Sequence, residues 1–323
     1  MVRVIGIGEL LWDALAVEAG IAPEAVTHWT KQVGGAPANV VWGLNRLGTS
    51  AALLGCVGTD AAGQELLHRY RAAGFEMTGM QSHPTAPTRE VYVARTEMGD
   101  RTFGGFGDRN PADFADAQLD GNQFPLALFQ AADVLVLGTI ALAYPTSRAA
   151  LWRALDLADQ YHLRIVLDVN WRPMFWPDPT AAPELIAELW PRVDFVKLAQ
   201  EEAHLFFNTT NPAAIAEYLD SVEGVMVTQG GEGAIAYCLS ENVGQVDPFA
   251  VPVVDTTGAG DGFVAGFVHQ LCAQGVTSLG DPDKAKAIVT YAAAVGALTT
   301  QKLGAIAALP TANDVQTFLH RHH

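Results

Sequence analysis

Short apolar runs rich in branched residues alternate along this chain with longer amphipathic stretches, and this rhythm restricts the fold more than any other feature. The runs at 3–7, 52–57, 133–138, 165–169, 195–198, 225–228 and 234–238 have the length and composition of buried strands. Apolar residues at helical spacing predict helices over 36–47, 63–73, 145–161, 184–190, 201–207, 212–221, 262–274, 282–300 and 311–320. Because strand and helix keep alternating through the second half, a layered α/β protein with a mostly parallel sheet is expected.

One stretch departs from the rhythm. Residues 89–95 alternate polar and apolar, Met98-Gly99-Asp100 reads as a turn, and 101–106 returns, which predicts a hairpin. With 11–17 and 29–33 it could build a small sheet standing off the main body, placed to close over a site and exclude water. A chain of 323 residues is long enough for one large core carrying such an appendage. Half the residues are hydrophobic and 17% are charged, a globular composition with no room for long disordered tails. The formal net charge of -16 disfavours nucleic acid or an anionic membrane as partner, although a few local donors can still hold a nucleotide. Cys56, Cys238 and Cys272 form neither a disulfide framework nor a metal-type pair, so a reduced, cytoplasmic setting is expected. Glu9 and Asp13 interrupt the N-terminal apolar run before it resembles a signal or membrane segment. The terminal His320-Arg321-His322-His323 reads as a solvated, frayed end.

Four segments carry chemistry. In Asp255-Thr256-Thr257-Gly258-Ala259-Gly260-Asp261-Gly262-Phe263, small residues permit a tight turn with N–H groups turned toward an anion. The helix that follows points its positive end at the same place. Asp261 in its first turn can take a proton from an attacking hydroxyl, or can be an ordinary cap. Gly34-Gly35-Ala36-Pro37-Ala38-Asn39 turns from the small sheet into a helix, with Asn39 offering a donor and an acceptor to a polyol, or simply starting that helix. Asp168-Val169-Asn170-Trp171-Arg172-Pro173 follows a strand at the sheet end where ligands bind. Strand alternation would put Asp168, Asn170 and Arg172 on one face, with Arg172 contacting phosphate or substrate, or pairing with Asp168 at the surface. Thr228-Gln229-Gly230-Gly231-Glu232-Gly233 is either a nucleotide rest or a plain β connection. No Gly-Lys pair exists, so a Walker loop is excluded, and Gly6-Ile7-Gly8 and Gly258-Ala259-Gly260 fail to complete a dinucleotide fingerprint.

The two glycine segments together resemble the paired signatures of the ribokinase-like, PfkB-type carbohydrate kinases, over nearly the whole chain. The resemblance implies a single domain over 1–323: a three-layer α/β/α core with a mostly parallel sheet, and a discontinuous β lid from about 11–35 and 89–106. It implies transfer of the γ-phosphoryl group of ATP to a sugar hydroxyl with Mg²⁺, Asp261 as base and the amides of Gly258, Ala259 and Gly260 as anion hole. Asp13, Gly34, Gly35 and Asn39 match sugar-binding positions, joined by Asn170 and Arg172. Thr228 and Gly230 match the nucleotide side, joined by Lys197, Gly233, Gly258 and Gly260. Asp255 matches a position that helps bind K⁺ in some members, and Glu202 one that orders Mg²⁺ through water. The family's Asn-x-x-Glu reads Ala199-Gln200-Glu201-Glu202 here, so the Asn is missing and the metal arrangement is open. The runs 197–202 and 168–173 are most similar to bacterial fructokinases, which implies fructose as substrate. Kinases of 2-keto-3-deoxygluconate, ribose or a nucleoside are the alternatives within the family; an oxidoreductase or a non-catalytic sugar-binding protein lies outside it. A homodimer paired through the lid is a further implication of the resemblance.

Overall fold

The computed structural model describes residues 1–95, 101–230 and 233–322; the expected turn at 98–100, two residues of the 228–233 loop and His323 lie outside them. In chain order the strands are β1 (Val4–Ile7), β2 (Leu11–Ala19), β3 (Trp29–Gly34), β4 (Ala51–Gly58), β5 (Met80–His83), β6 (Glu90–Arg95), β7 (Arg101–Gly105), β8 (Val134–Leu137), β9 (Arg164–Asp168), β10 (Phe195–Ala199), β11 (Gly224–Thr228), β12 (Ile235–Leu239) and β13 (Asn242–Val246). The helices are α1 (Ala36–Leu47), α2 (Ala61–Ala72), α3 (Leu126–Ala131), α4 (Pro145–Tyr161), α5 (Ala182–Ala187), α6 (Gln200–Phe207), α7 (Pro212–Leu219), α8 (Ala259–Gln274), α9 (Pro282–Thr299), α10 (Ala305–Ala308) and α11 (Ala312–His322).

The large sheet runs β13-β12-β11-β10-β9-β8-β1-β4-β5, with every neighbouring pair parallel except β11–β12 and β12–β13 at one edge. Each inner strand feeds two cores in turn, because successive side chains leave a strand on opposite faces. Ile5, Ile7, Leu135, Leu137, Ile165 and Leu167 pack with α3 to α7 on one face. Val4, Val134, Val136, Val166, Phe195 and Met226 pack with α1, α2, α8, α9 and α11 on the other. Burying each such side chain contributes roughly 1.5–3 kcal/mol. The result is the three-layer α/β/α architecture with a mostly parallel sheet that was expected.

Helix α8 is apolar nearly all round because it lies between α1, α9 and the sheet. Phe267 meets Phe195 of β10 edge-on at 5.4 Å. At Gly266 a Cβ would come within 2.8 Å of the Ala292 backbone, so only glycine permits α9 to approach this closely. Helix α8 is therefore held on three sides.

The smaller sheet runs β3-β2-β6-β7, with β2 parallel to β6 and the outer pairs antiparallel. It stands at the carboxyl ends of the main strands, since β2 begins four residues after β1 ends. Among the described residues no helix is long and apolar enough to cross a membrane.

Candidate active site

The strand order turns back on itself between β1 and β8, the place in an open α/β sheet where the crevice lies. A cavity of about 450 Å³ opens there. Glu9 after β1, Ile140 after β8, Asp168 at the end of β9 and Lys197 of β10 form its floor, and Leu11, Asp13, Val91, Val93 and Phe103 of the smaller sheet form its roof.

Two glycine turns bring the polar groups together. Gly35 has φ +105°, and a Cβ there would lie 2.3 Å from the Glu9 carbonyl oxygen, so no other residue fits. The turn delivers Ala36, whose N–H donates to Glu9 Oε1 at 2.9 Å, and then Asn39 in the first turn of α1. Gly258 caps α8 with φ +76°, which places Asp261 in the first turn of that helix. Across the cavity Asn39 Nδ2 donates to Asp261 Oδ2 at 2.8 Å, both residues being buried. Among the described residues Asn39 Oδ1 has no hydrogen-bond partner, which leaves a buried acceptor for an incoming hydroxyl.

The electrostatics follow from this burial. The Asp261 carboxyl is pushed up to about 7, first by loss of water and then by the Asp168 charge, against the Asn39 hydrogen bond and the Lys197 and Arg172 charges. Glu9 is likewise pushed up to about 7 by burial, against bonds from its own N–H and that of Ala36 and with Asp116 and Asp261 adding to the rise. Burial pulls the Lys197 ammonium down, but Asp168, Glu202 and Asp261 outweigh it and the net shift is upward. Lys197 Nζ donates to Asp168 Oδ1 at 3.0 Å. A Cβ at Gly260 would stand 3.1 Å from the same Nζ, so the ammonium lies against the bare backbone of the α8 turn.

Not every expected residue reaches the cavity. Asp13, Gly35, Asn39, Asn170, Arg172, Lys197, Gly258, Gly260 and Asp261 line it. Ala259 does not, and its N–H donates to Thr256 O at 3.2 Å. Gly34 backs the wall, where a Cβ would strike the Asp13 carboxylate. Thr228, Gly230 and Gly233 lie beyond the cavity at the end of β11, the Thr228 hydroxyl reaching Leu198 O at 3.4 Å. Asn170 faces the cavity for a reason other than strand alternation: β9 ends at Asp168 and Asn170 takes φ +40°, turning the chain. Arg172 does not pair with Asp168, whose partner is Lys197; its guanidinium donates to Trp171 O at 2.9 Å.

The two expected metal positions are tied to backbone. Glu202 Oε2 accepts from Ala199 N at 2.7 Å and Oε1 from Trp171 N at 2.6 Å, so it caps α6 and stitches β10 to the 168–172 turn. Asp255 Oδ1 accepts from Thr257 N at 3.0 Å and Thr257 Oγ1 at 2.6 Å, and Oδ2 from Gly304 N at 2.8 Å. Sequence reasoning missed Glu9, which read only as an interruption of an apolar run, and the aromatic wall of Phe103 and Phe175. No signal in the sequence marks Glu9, because the Gly35 turn that packs on its backbone is brought there only by the fold.

The architecture is that of a ribokinase-like kinase. The chain belongs to the pfkB family of carbohydrate kinases, whose model matches residues 1–312. It is 32% identical to the probable fructokinase-2 of Arabidopsis thaliana over 321 residues, 98% of this chain and 95% of that one. A fructokinase from Xylella fastidiosa with bound ATP superposes with TM-score 0.88 at 26% identity, covering 99% of this chain and 98% of the other. A double mutant of a fructokinase from Vibrio cholerae, in fructose-, ADP- and potassium-bound form, superposes with TM-score 0.84 at 27% identity over 99% and 98%. Membership of the family sets aside the oxidoreductase and non-catalytic readings.

Proposed function

We propose that this carbohydrate kinase moves the γ-phosphoryl group of ATP onto a hydroxyl of fructose, giving fructose 6-phosphate. The observation that carries the reading is the Asn39–Asp261 bond across the cavity: a buried carboxyl near neutral pKa, at the opening turn of α8, held by the turn that follows the smaller sheet. Fructose is favoured because the Arabidopsis relative is a probable fructokinase and the Vibrio cholerae enzyme holds fructose and ADP.

In this reading the sugar hydroxyl sits against Asp261, with Asp13, Asn39, Asn170 and Arg172 fixing the remaining hydroxyls. Asp261 takes the hydroxyl proton as the oxygen attacks phosphorus, and Asn39 holds the carboxylate aimed. Gly258 and Gly260 N–H groups receive the phosphoryl oxygens, and Ala259 N–H joins them by exchanging the Thr256 carbonyl for one of those oxygens. Lys197 adds positive charge beside Gly260, while Thr228, Gly230 and Gly233 flank the rest of the nucleotide beyond the cavity. The smaller sheet acts as a lid that excludes water, so that the sugar and not the solvent is phosphorylated.

Mg²⁺ fits a site of this kind. Among the described residues no three or more candidate ligands cluster, and Glu202 and Asp168 already hold backbone or ammonium donors, which suits an ion carried chiefly by nucleotide phosphates and water with at most one or two carboxylates nearby. When bound, Mg²⁺ supplies neutralisation of the phosphate charge. Asp255, joining the 255–257 turn to Gly304, supports K⁺ as an activator beside the anion hole. Val17 and Ile21 leave apolar surface on and beside the smaller sheet, which supports a homodimer through the lid; sedimentation as a monomer at micromolar concentration would remove that part.

The test is ADP release over a panel of fructose, ribose, 2-keto-3-deoxygluconate and nucleosides, with fructose expected to give the highest kcat/KM. Asp261→Ala should lower kcat with fructose by about 10²–10⁴-fold. Near-normal turnover in that variant overturns the base assignment, and a better substrate elsewhere in the panel overturns fructose.

A further inference from the structure

Among the described residues the largest fully buried side chain is a cation, Arg89, and it sits where the chain passes from the core into the smaller sheet. Its carbonyl accepts from Trp12 N at 3.0 Å beside the first β2–β6 rung, while its side chain turns back into the core. There Nε donates to Asp116 Oδ2 at 2.8 Å and Nη2 to Pro111 O at 2.8 Å. Four rings surround the guanidinium, with centroids at 4.6 Å for Phe114, 5.1 Å for Phe106 and 5.3 Å for both Tyr144 and Phe175.

The origin of those rings gives the cage its meaning. Phe106 is the residue after β7, where the chain leaves the smaller sheet, whereas Phe114, Tyr144 and Phe175 belong to the core. One guanidinium thus ties the entry and the exit of the β6–β7 hairpin to a common point. Phe106 in turn packs at 5.1 Å on Phe103 and at 5.1 Å on Phe175, and both of these line the cavity. A buried ion pair is seldom the most stable filling for such a space, and among the described residues Arg89 Nη1 and Asp116 Oδ1 lack hydrogen-bond partners. What a planar, forked cation gives that an apolar side chain does not is a fixed direction for each ring and carbonyl around it.

We propose that Arg89 is a positioning residue for phosphoryl transfer: clamped by Asp116, Pro111 and four rings, it is the pivot that sets the lid's Phe103 and the core's Phe175 against the sugar. The inference rests on the lid reading above, and it assigns the role of holding the sugar wall to a residue that touches no substrate. A purely structural ion pair would matter for stability alone. A pivot would matter for the sugar and not for the nucleotide.

The decisive protein is the full-length double variant Arg89→Met, Asp116→Asn, which leaves no unpaired buried charge and keeps the cage filled. Arg89→Lys, which keeps the charge and loses the fork, is its companion. Assayed well below the melting temperature, both should raise KM for the sugar by roughly tenfold or more, the scale of one lost charge-assisted hydrogen bond. KM for ATP should stay within about twofold, and ADP release without sugar phosphate should rise as water enters. Amide exchange over 90–95 and 103–106 should quicken while that of β8 to β10 stays unchanged. A folded double variant with unaltered sugar KM and unaltered exchange in those segments overturns the pivot. If the wild type phosphorylates none of the sugars, the functional reading fails, yet the exchange comparison still decides the pivot.

Discussion

If Asp261 is the base, the position of the acidic limb in the pH–rate profile belongs to its surroundings, and two substitutions should move that limb in opposite directions. The surrounding groups are Asp168, which raises the carboxyl, and Asn39, Lys197 and Arg172, which lower it, all acting on a group whose burial holds it near 7. Asn39→Ala removes a 2.8 Å hydrogen bond to the carboxylate. A hydrogen bond to a charged group contributes about 1.5–3 kcal/mol, and at about 1.36 kcal/mol per pK unit its loss moves the limb up by roughly 1–2 units. Asp168→Asn removes a neighbouring negative charge, so its limb moves down. The assay is kcat/KM for the sugar from pH 5 to 9 at saturating ATP. Bound phosphates offset all three proteins alike, and the comparison among them carries the result. Asn39→Ala will also lose absolute activity through its sugar contact, but the position of the limb does not depend on that loss. A limb that moves down in Asn39→Ala, or stays fixed in both variants, would falsify Asp261 as the titrating base.

Two further predictions concern the resting protein. Asp261 titrates at about 7 when folded against 3.8 for the ordinary carboxyl, so its contribution to stability is present below about pH 4 and is lost as the pH rises through 7. Asp261→Asn should therefore raise the melting temperature at pH 8 and give a smaller rise at pH 5; the reverse order in thermal scans would mean that the carboxyl is not buried as described. Ala199 precedes α6 without a side-chain cap, leaving Glu202 to hold its N–H. Ala199→Asn should add roughly 0.5–2 kcal/mol in urea denaturation, and no gain would place the start of α6 elsewhere.

The sequence made the layered body legible because each inner strand is buried on both faces and most helices on one. The expected helices at 36–47 and 145–161 coincide with α1 and α4, and most others differ by a residue or two at their ends. Strands β5 and β13 went unread since Met80–His83 and Asn242–Val246 are half-exposed edges with little apolar signal. Within the site, Asp261, Asn39 and Gly35 were legible from glycine turns that need particular backbone angles. Glu9 and the Arg89–Asp116 pair were not, because a charged residue announces nothing about burial until distant rings and amides close around it. Asp168 was seen, but its partner Lys197 lies 29 residues on, and only the parallel register of β9 and β10 sets the two side by side.

The smaller sheet roofs the cavity and does not extend to the end of β11. Its residues that line the cavity, Leu11, Asp13, Val91, Val93 and Phe103, face the half that the proposed function gives to the sugar, and Thr228, Gly230 and Gly233 do not line the cavity. A molecule roofed in this way has two doors of unequal kind. In the proposed reading the sugar would enter or leave only when the sheet swings, whereas a nucleotide resting beyond it would exchange with solvent while the sheet stays shut. Traffic would then be ordered by architecture: a sugar held under the roof could wait for a fresh nucleotide, and the spent nucleotide could depart before the phosphorylated sugar is released.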